Sequence, residues 1–458
     1  MSLLISDLMQ DVYRILQDHT QKRDYDKLDE AGRMLEDILN DQPDDPHVLF
    51  SYGTYLHYKG HHGAAIPYFE KVVKFIPDHF GVWSNLGVCW RLLHHNERAR
   101  SAFKKSLLFE QDALTYNNMS ATYINEGCPD EGLAYARKAM ELDPNAMQAK
   151  WNYGLLMLEK ECWAEGFEHY DAGFLCNERQ ARNYADEAMP WWRGEPGTVV
   201  LFDEQGLGDR ILFMNLLHHI TPENFPNNEF ILEVHPRLEG LYRRSFPWFK
   251  TVYTTVKESH IEWPKKHTLN YRCAIASLTH DFTREPYLKP DQNLVDGFKK
   301  QFGDGPVVGF SWFGGVRKTH GHQRSIKLGW MQDIVKSGGT WVSLQYNDWA
   351  KDKIARFNAE HNTRVIHIED QKDYDHTTAA IAACDHVVTV CNTVAHTAGA
   401  LGKSCWVLVP KAKAWRYPSG DHFPWYSDNV EMIHQKTTWD ALLLEVKERI
   451  KEWIDSQS

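Results

Sequence analysis

A period of about 34 residues runs through the first 178 positions and restricts the fold more than any other feature of this chain. One register contains Leu49, Tyr52, Gly53, Leu56, Ala65, Phe69 and Pro77, and the next contains Trp83, Leu86, Gly87, Trp90, Ala99 and Phe103. A third unit shows Tyr116, Tyr123, Ala136 and Pro144, a fourth shows Tyr153, Gly154, Met157, Gly166 and Tyr170, and a degenerate earlier one fits Ala31, Leu35, Ile38 and Pro43. Large residues on the first helix of such a unit fill holes left by Gly or Ala where paired helices approach, and Pro ends the second helix. Residues 1–178 are therefore expected to form four to five helical hairpins stacked into a short right-handed superhelix. Its concave face would bind a peptide, with dimerisation or a purely structural arm as the alternative.

The helical period stops at a linker, residues 179–197, where Pro190-Trp191-Trp192-Arg193-Gly194-Glu195-Pro196 marks a domain edge. Its paired tryptophans are expected to pack the solenoid onto the segment that follows, with an aromatic ligand platform as the alternative. From there strands alternate with helices. Thr198–Asp203 reads as a buried strand leading into Glu204-Gln205-Gly206-Leu207-Gly208-Asp209 and a helix over Arg210–Ile220. Asp209 at a helix start is favoured by the helix dipole whether or not it has another role. Strand Phe230–Val234, helix Pro236–Ser245 and strand Thr251–Thr255 continue the series, followed by a looser stretch through Ala274 to Asp281.

A second α/β region begins at Pro306, with strands at Val307–Trp312, Trp341–Gln345, Arg364–Ile368, His386–Val390 and Cys405–Val409 and a final helix from Trp439 to about Ser456. The loop over Phe313–Lys327 collects Arg317, Lys318, His320, His322, Arg324 and Lys327. A basic loop at a strand's carboxyl end can clamp a diphosphate; a solvated charge run is the bland alternative. The sequence Val387–Pro410 reads strand, polar loop, small-residue helix, Gly turn, strand: Asn392 and Thr393 can cap the helix, Gly402 can end it, and His396 lies one turn inside. Such a helix start receives phosphate. Asp373-Tyr374-Asp375 is formally an Asp-x-Asp metal motif, but its place before a helix points to capping, and no spacing of His, Cys and Glu suggests zinc. The domain expectation is 198–300 and 301–436 as two Rossmann-like halves, then a terminal helix over 437–458.

Charge and cysteine content narrow the function classes. Residues 1–180 hold 28 acidic and 18 basic residues and residues 181–458 hold 34 and 33, so the net charge of −11 sits almost wholly on the repeats. That argues against nucleic acid along the first half. The eight cysteines include no close CxxC pair and suit a reducing compartment. With no apolar run of membrane-spanning length and no basic, then apolar start, a cytoplasmic protein is expected.

Taken together, EQGLGD at Glu204–Asp209, HQRSI at His322–Ile326, SLQ at Ser343–Gln345 and CNTVAHTAGALGKSCWVLVP resemble bacterial and phage proteins in which a tetratricopeptide arm is fused to a glycosyltransferase domain. That domain is similar to the lipopolysaccharide heptosyltransferases and, more distantly, the whole resembles the protein O-GlcNAc transferases. The resemblance implies an α-solenoid followed by a GT-B pair of Rossmann-like domains. It also implies inverting, metal-independent transfer from a nucleotide-sugar, with a UDP-sugar favoured and no cofactor. By position, Asp209 would be the general base; Gly206, Gly208, Lys318, Arg324, Asn392, Thr393 and His396 would line the donor site, with Gln205, Cys391 and Trp415 as further candidates. Heptosyltransferases carry Asp-Thr where this chain has Cys391-Asn392, which argues against heptose. The default acceptor is a protein hydroxyl presented with help of the arm. The alternatives are a phage-type transferase acting on 5-hydroxymethylpyrimidine DNA in the host cytoplasm, and a non-catalytic scaffold with a vestigial transferase domain.

Overall fold

The computed structural model describes residues 2–22, 24–185, 188–255, 262–278, 282–315, 321, 323–368, 373–420 and 422–457. They form two compact units, Met1–Met157 and Leu158–Ser458.

The first unit is helical: α1 (Ser2–Lys22), α2 (Tyr25–Asp41), α3 (Pro46–Tyr58), α4 (His62–Phe75), α5 (Phe80–Leu92), α6 (Asn96–Phe109), α7 (Ala113–Ile124), α8 (Pro129–Leu142) and α9 (Met147–Glu159), the last of which crosses the division. Helices α3 and α4, α5 and α6, and α7 and α8 pack as pairs, one pair per repeat. The repeat residues explain the pairing. A Cβ at Gly53 would sit 2.8 Å from the Phe69 ring and one at Gly87 2.5 Å from Phe103, so only glycine lets the ring of the second helix reach the first. The first helix of each pair also has a side-chain cap, from Asp45, His79 and Asp112, which holds backbone N–H groups that the helix leaves unpaired. Helices α2, α4 and α8 end just before Pro43, Pro77 and Pro144, as expected.

The second unit opens with α10 (Trp163–Tyr170) and then builds two sheets whose strand pairs are all parallel. The solenoid expected over 1–178 thus gives its last hairpin helix to this unit. The first sheet comprises β1 (Gly197–Phe202), β2 (Asn228–Val234), β3 (Thr251–Thr254) and β4 (Tyr271–Ala274) in the order β3-β2-β1-β4, with α11 (Leu207–Met214) after β1 and α12 (Glu239–Ser245) after β2. Helix α11 is shorter than the expected Arg210–Ile220: it begins at the Gly-rich loop and passes into a 3₁₀ turn at Asn215. Strand β4 falls within the stretch that reads as loose, where Tyr271 and Arg272 interrupt any apolar run while Cys273 and Ala274 are buried. Trp191 packs on Phe174 and Phe202, and Trp192 on Phe225 and Phe230, so these rings pack within the second unit.

Helix α13 (Gln292–Phe302) then crosses to the second sheet, where it packs against α16 (Tyr374–Ala383), so the second half takes in this helix rather than starting at 301. That sheet contains β5 (Val307–Ser311), β6 (Thr340–Ser343), β7 (Ile366–His367), β8 (His386–Val390), β9 (Ser404–Val409) and β10 (Val430–His434), ordered β10-β9-β8-β5-β6-β7. Helices α14 (Gln332–Val335), α15 (Ala350–His361), α16, α17 (Thr393–Ala400) and α18 (Trp439–Gln457) connect and cover it. Strand β10 has no counterpart in the sequence reading; it is held by its parallel register with β9. Helix α18 contributes Leu442, Leu443, Val446, Ile450 and Ile454 to the same core as Val308, Phe310 and Val388, which makes it part of this domain. Asp373 caps α16 through the N–H groups of Asp375 and His376, as its position implies, and Asp375 pairs with Arg244.

Candidate active site

Each sheet reverses its strand order once, between β1 and β4 and between β5 and β8. Ligands of open parallel sheets bind beyond the carboxyl ends of the strands at such reversals, where the two connections diverge and leave a crevice. The loops of EQGLGD and CNTVAH leave β1 and β8 at these two points.

At the second reversal, a chain of buried amides fixes the start of α17. Asn392 Oδ1 accepts from the Val394 N–H at 2.9 Å and from Thr389 Oγ1 at 3.1 Å. Its Nδ2 donates to Ser311 Oγ at 2.8 Å and to the Phe313 carbonyl at 3.2 Å, across the gap between β8 and β5. Ser311 Oγ donates to Gln345 Oε1 at 2.9 Å, which also accepts from the Phe313 N–H at 3.0 Å. The motifs SLQ and CNT thus act as one brace, and Asn392 is committed to it. Cys391 is buried, and burial pushes its thiol up to about 12 against the pull of Arg324 and Lys413, so it is not a thiolate at neutral pH.

At the first reversal, Gln205 has φ 71°, an uncommon left-handed conformation for a residue other than glycine that turns β1 sharply into α11. Gly206 is the N-cap, and its N–H donates to Asp209 Oδ2 at 3.3 Å. The other oxygen of Asp209 pairs with Arg416, from the connection between β9 and β10. Arg416 also donates to Gln205 Oε1 at 2.8 Å, and Gln205 Nε2 donates to the buried Tyr170 hydroxyl at 2.7 Å. Glu204 is buried; burial raises its pKa while Arg179 opposes the rise. Arg179, fully buried, pairs with it at 2.9 Å and also with Asp171 at 2.5 Å.

The two helix starts touch. A Cβ at Gly208 would lie 3.2 Å from His396 Cδ2 and 3.4 Å from Thr393 Cα, so the glycine permits this approach. Of the residues singled out in the sequence, Gln205, Gly206, Gly208, Asp209, Thr393 and His396 converge here. His396 itself is only 2% exposed and has both ring nitrogens within 3.0 Å of tyrosine hydroxyls, Tyr426 on Nδ1 and Tyr417 on Nε2. It braces the site from beneath and offers no free nitrogen to a ligand. Trp415 is likewise buried, edge-on to Phe167, Tyr170 and Trp425, with Arg416 over its ring. No face is left for a nucleobase.

Positive charge gathers above Cys391. Arg324 and Lys413 both act on its thiol, and the Arg324 Nε is buried with no hydrogen-bond partner. Lys413 pairs with Glu159 at 3.0 Å, both side chains nearly buried. Lys327 is exposed over Trp330. Lys318, with Arg317, His320 and His322, lies outside the described residues. Sequence reasoning passed over Lys413 and Arg416. The run Lys411-Ala412-Lys413-Ala414-Trp415-Arg416 directly after a buried strand carried the same signal as the loop after β5.

Burial holds the His396 imidazole down at about 3, with Arg416 adding to the effect. Its folded pKa lies below the unfolded value of 6.5, so the unfolded chain binds the extra proton and stability is lost as pH falls below that value. Between about pH 7 and pH 5, His396 is expected to cost about 2 kcal/mol of stability. Asp203, raised by burial to about 6, acts in the opposite sense over part of the range. The comparison is therefore between wild type and His396→Gln, whose urea midpoint should fall less on acidification; equal falls would contradict the assignment.

Residues 46–79 and 113–146 match the tetratricopeptide repeat family model. Protein FlbA of Caulobacter vibrioides is 25% identical over 453 residues, 91% of this chain and 74% of that one. Among solved structures, the ADP-heptose lipopolysaccharide heptosyltransferase II of E. coli matches 56% of this chain and 99% of its own with 13% identity and a TM-score of 0.42. A family 9 glycosyl transferase from Veillonella parvula matches 61% and 97% with 11% identity and a TM-score of 0.43. The chain carries tetratricopeptide repeats ahead of an α/β region built on two parallel sheets. Among the described residues no helix is long and apolar enough to cross a membrane.

Proposed function

We propose that this chain is a glycosyltransferase that moves a sugar, with inversion and without a metal, from a nucleotide-sugar to a hydroxyl of a macromolecular acceptor. The observation that carries this reading is the meeting of two helix starts from two parallel sheets, with a carboxylate on one and three cations around the other. The diphosphate of the donor lies against Arg324, Lys413, Arg416 and the first N–H groups of α17, where the helix dipole and the cations stabilise the charge that grows as the sugar leaves. Arg416 is drawn from Asp209 toward the diphosphate. Asp209, released from its partner, takes the proton of the acceptor hydroxyl as that oxygen attacks the anomeric carbon. A UDP-sugar is the favoured donor. A protein hydroxyl is the favoured acceptor, because tetratricopeptide repeats present peptide and the repeats here are acidic, which suits a neutral or basic peptide better than DNA.

The test is a thermal-shift panel of UDP-, GDP- and ADP-sugars with a CMP-sugar, which has a single phosphate, as control. A diphosphate donor at 100 times its dissociation constant should stabilise the protein by about 2.7 kcal/mol. Arg324→Ala, which deletes the cation with an unpartnered buried nitrogen, should weaken that donor at least about tenfold, as losing one charge-assisted contact does. Equal stabilisation of both proteins would remove Arg324 from the donor site. Silence across the panel would leave the scaffold reading in possession.

A further inference from the structure

We propose that His57, His62 and Cys89 of the helical unit form a binding site for a thiophilic transition-metal ion, Zn²⁺ in the first instance. The three are dispersed in sequence and no spacing rule selects them. The fold assembles them: His57 is in the last turn of α3, His62 opens α4 across the intervening turn, and Cys89 comes from α5 of the next repeat. One ligand atom from each residue lies within 4.8 Å of the other two. Cys89 Sγ is 3.7 Å from His57 Nδ1, and the two imidazole centroids are 5.1 Å apart.

Zn–N and Zn–S bonds set tetrahedral ligand-to-ligand edges of about 3.3–3.6 Å. The Cys89–His57 edge is already near that value, and closing the others requires side-chain movement of about 1 Å. The His62 Nδ1 is buried and has no hydrogen-bond partner, a cost that a native structure seldom carries without a use. A coordinated metal would use the imidazole lone pairs and the thiolate together, and two histidines with one cysteine are ligand types that zinc accepts. Three protein ligands leave a fourth position for water or an added anion.

Arg91 opposes the ion. It is close enough to act on both imidazoles, and its Nε is also buried without a hydrogen-bond partner. Coordination would displace the Cys89 proton, so the bound site holds a dication and a thiolate beside the guanidinium. An anionic fourth ligand is favoured over neutral water for that reason. The same geometry supplies a diagnostic: deleting Arg91 should tighten the metal rather than loosen it.

The experiment is titration of the full chain, reduced and metal-stripped, with Co²⁺, followed by displacement with Zn²⁺. The expected result is one equivalent giving a thiolate-to-cobalt charge-transfer band and tetrahedral visible bands. Cys89→Ala should abolish the charge-transfer band, His62→Gln should weaken binding at least tenfold, and Arg91→Gln should strengthen it several-fold. Circular dichroism of each variant checks that the helices remain. Absence of a charge-transfer band in the wild type, its persistence in a folded Cys89→Ala, or weaker binding in a folded Arg91→Gln would overturn the proposal.

Discussion

Asp209→Asn should lower donor turnover by about 10²- to 10⁴-fold, the range for losing a positioned general base, while the donor still binds. Asparagine keeps the size of the side chain and an oxygen that can accept from the Gly206 N–H, so the turn between β1 and α11 is retained. Its amide has no charge to attract Arg416, so the guanidinium is freer for the diphosphate and donor affinity should not fall. The measurement is kcat beside the donor dissociation constant in both proteins. A drop in affinity with unchanged kcat would make Asp209 a binding residue; equal kcat would remove it from proton transfer.

Arg179→Ala should destabilise the second unit by about 3–5 kcal/mol, because it strands the buried Glu204 carboxylate and removes the side chain that ties Asp171 and Ser277 to the loop after β1. The guanidinium also lies over the Tyr170 and Phe174 rings, at 4.5 and 4.0 Å from their centroids, so packing is lost with the charge. Denaturant unfolding of Arg179→Ala and of Arg179→Ala with Glu204→Gln separates the two contributions. The double variant removes both charges and should recover much of the loss. If it is as unstable as Arg179→Ala, packing rather than stranded charge holds this corner together.

The repeats were legible because one residue type at one spacing has one steric cause: Gly53 and Gly87 stand 34 positions apart since Phe69 and Phe103 need the same gap. The βαβ corner at Val387–Pro410 was equally plain, since a five-residue apolar strand, an Asn cap and a Gly stop are all local. Strand β10 and helix α13 were not, because each is defined by what it packs on rather than by its own pattern. The candidate site divided along the same line. Asp209, Gly208 and Thr393 could be placed from motifs. That His396 would be enclosed by Tyr417 and Tyr426, and that Arg416 would cross to Asp209, depends on where the connection after β9 folds back. The burial of Trp415 has the same origin: four aromatic partners, Phe167, Tyr170, Phe213 and Trp425, converge on it, and no short window of sequence contains them.

The most direct test of the glycosyltransferase reading is release of nucleoside diphosphate from a panel of labelled nucleotide-sugars, followed with and without candidate peptide acceptors, in wild type and Asp209→Asn. Wild type is predicted to release the diphosphate from one donor class, faster with acceptor present, and Asp209→Asn to bind that donor without turning it over. A panel in which no donor is bound or cleaved by folded wild-type protein would contradict the account and assign these two domains a role other than sugar transfer.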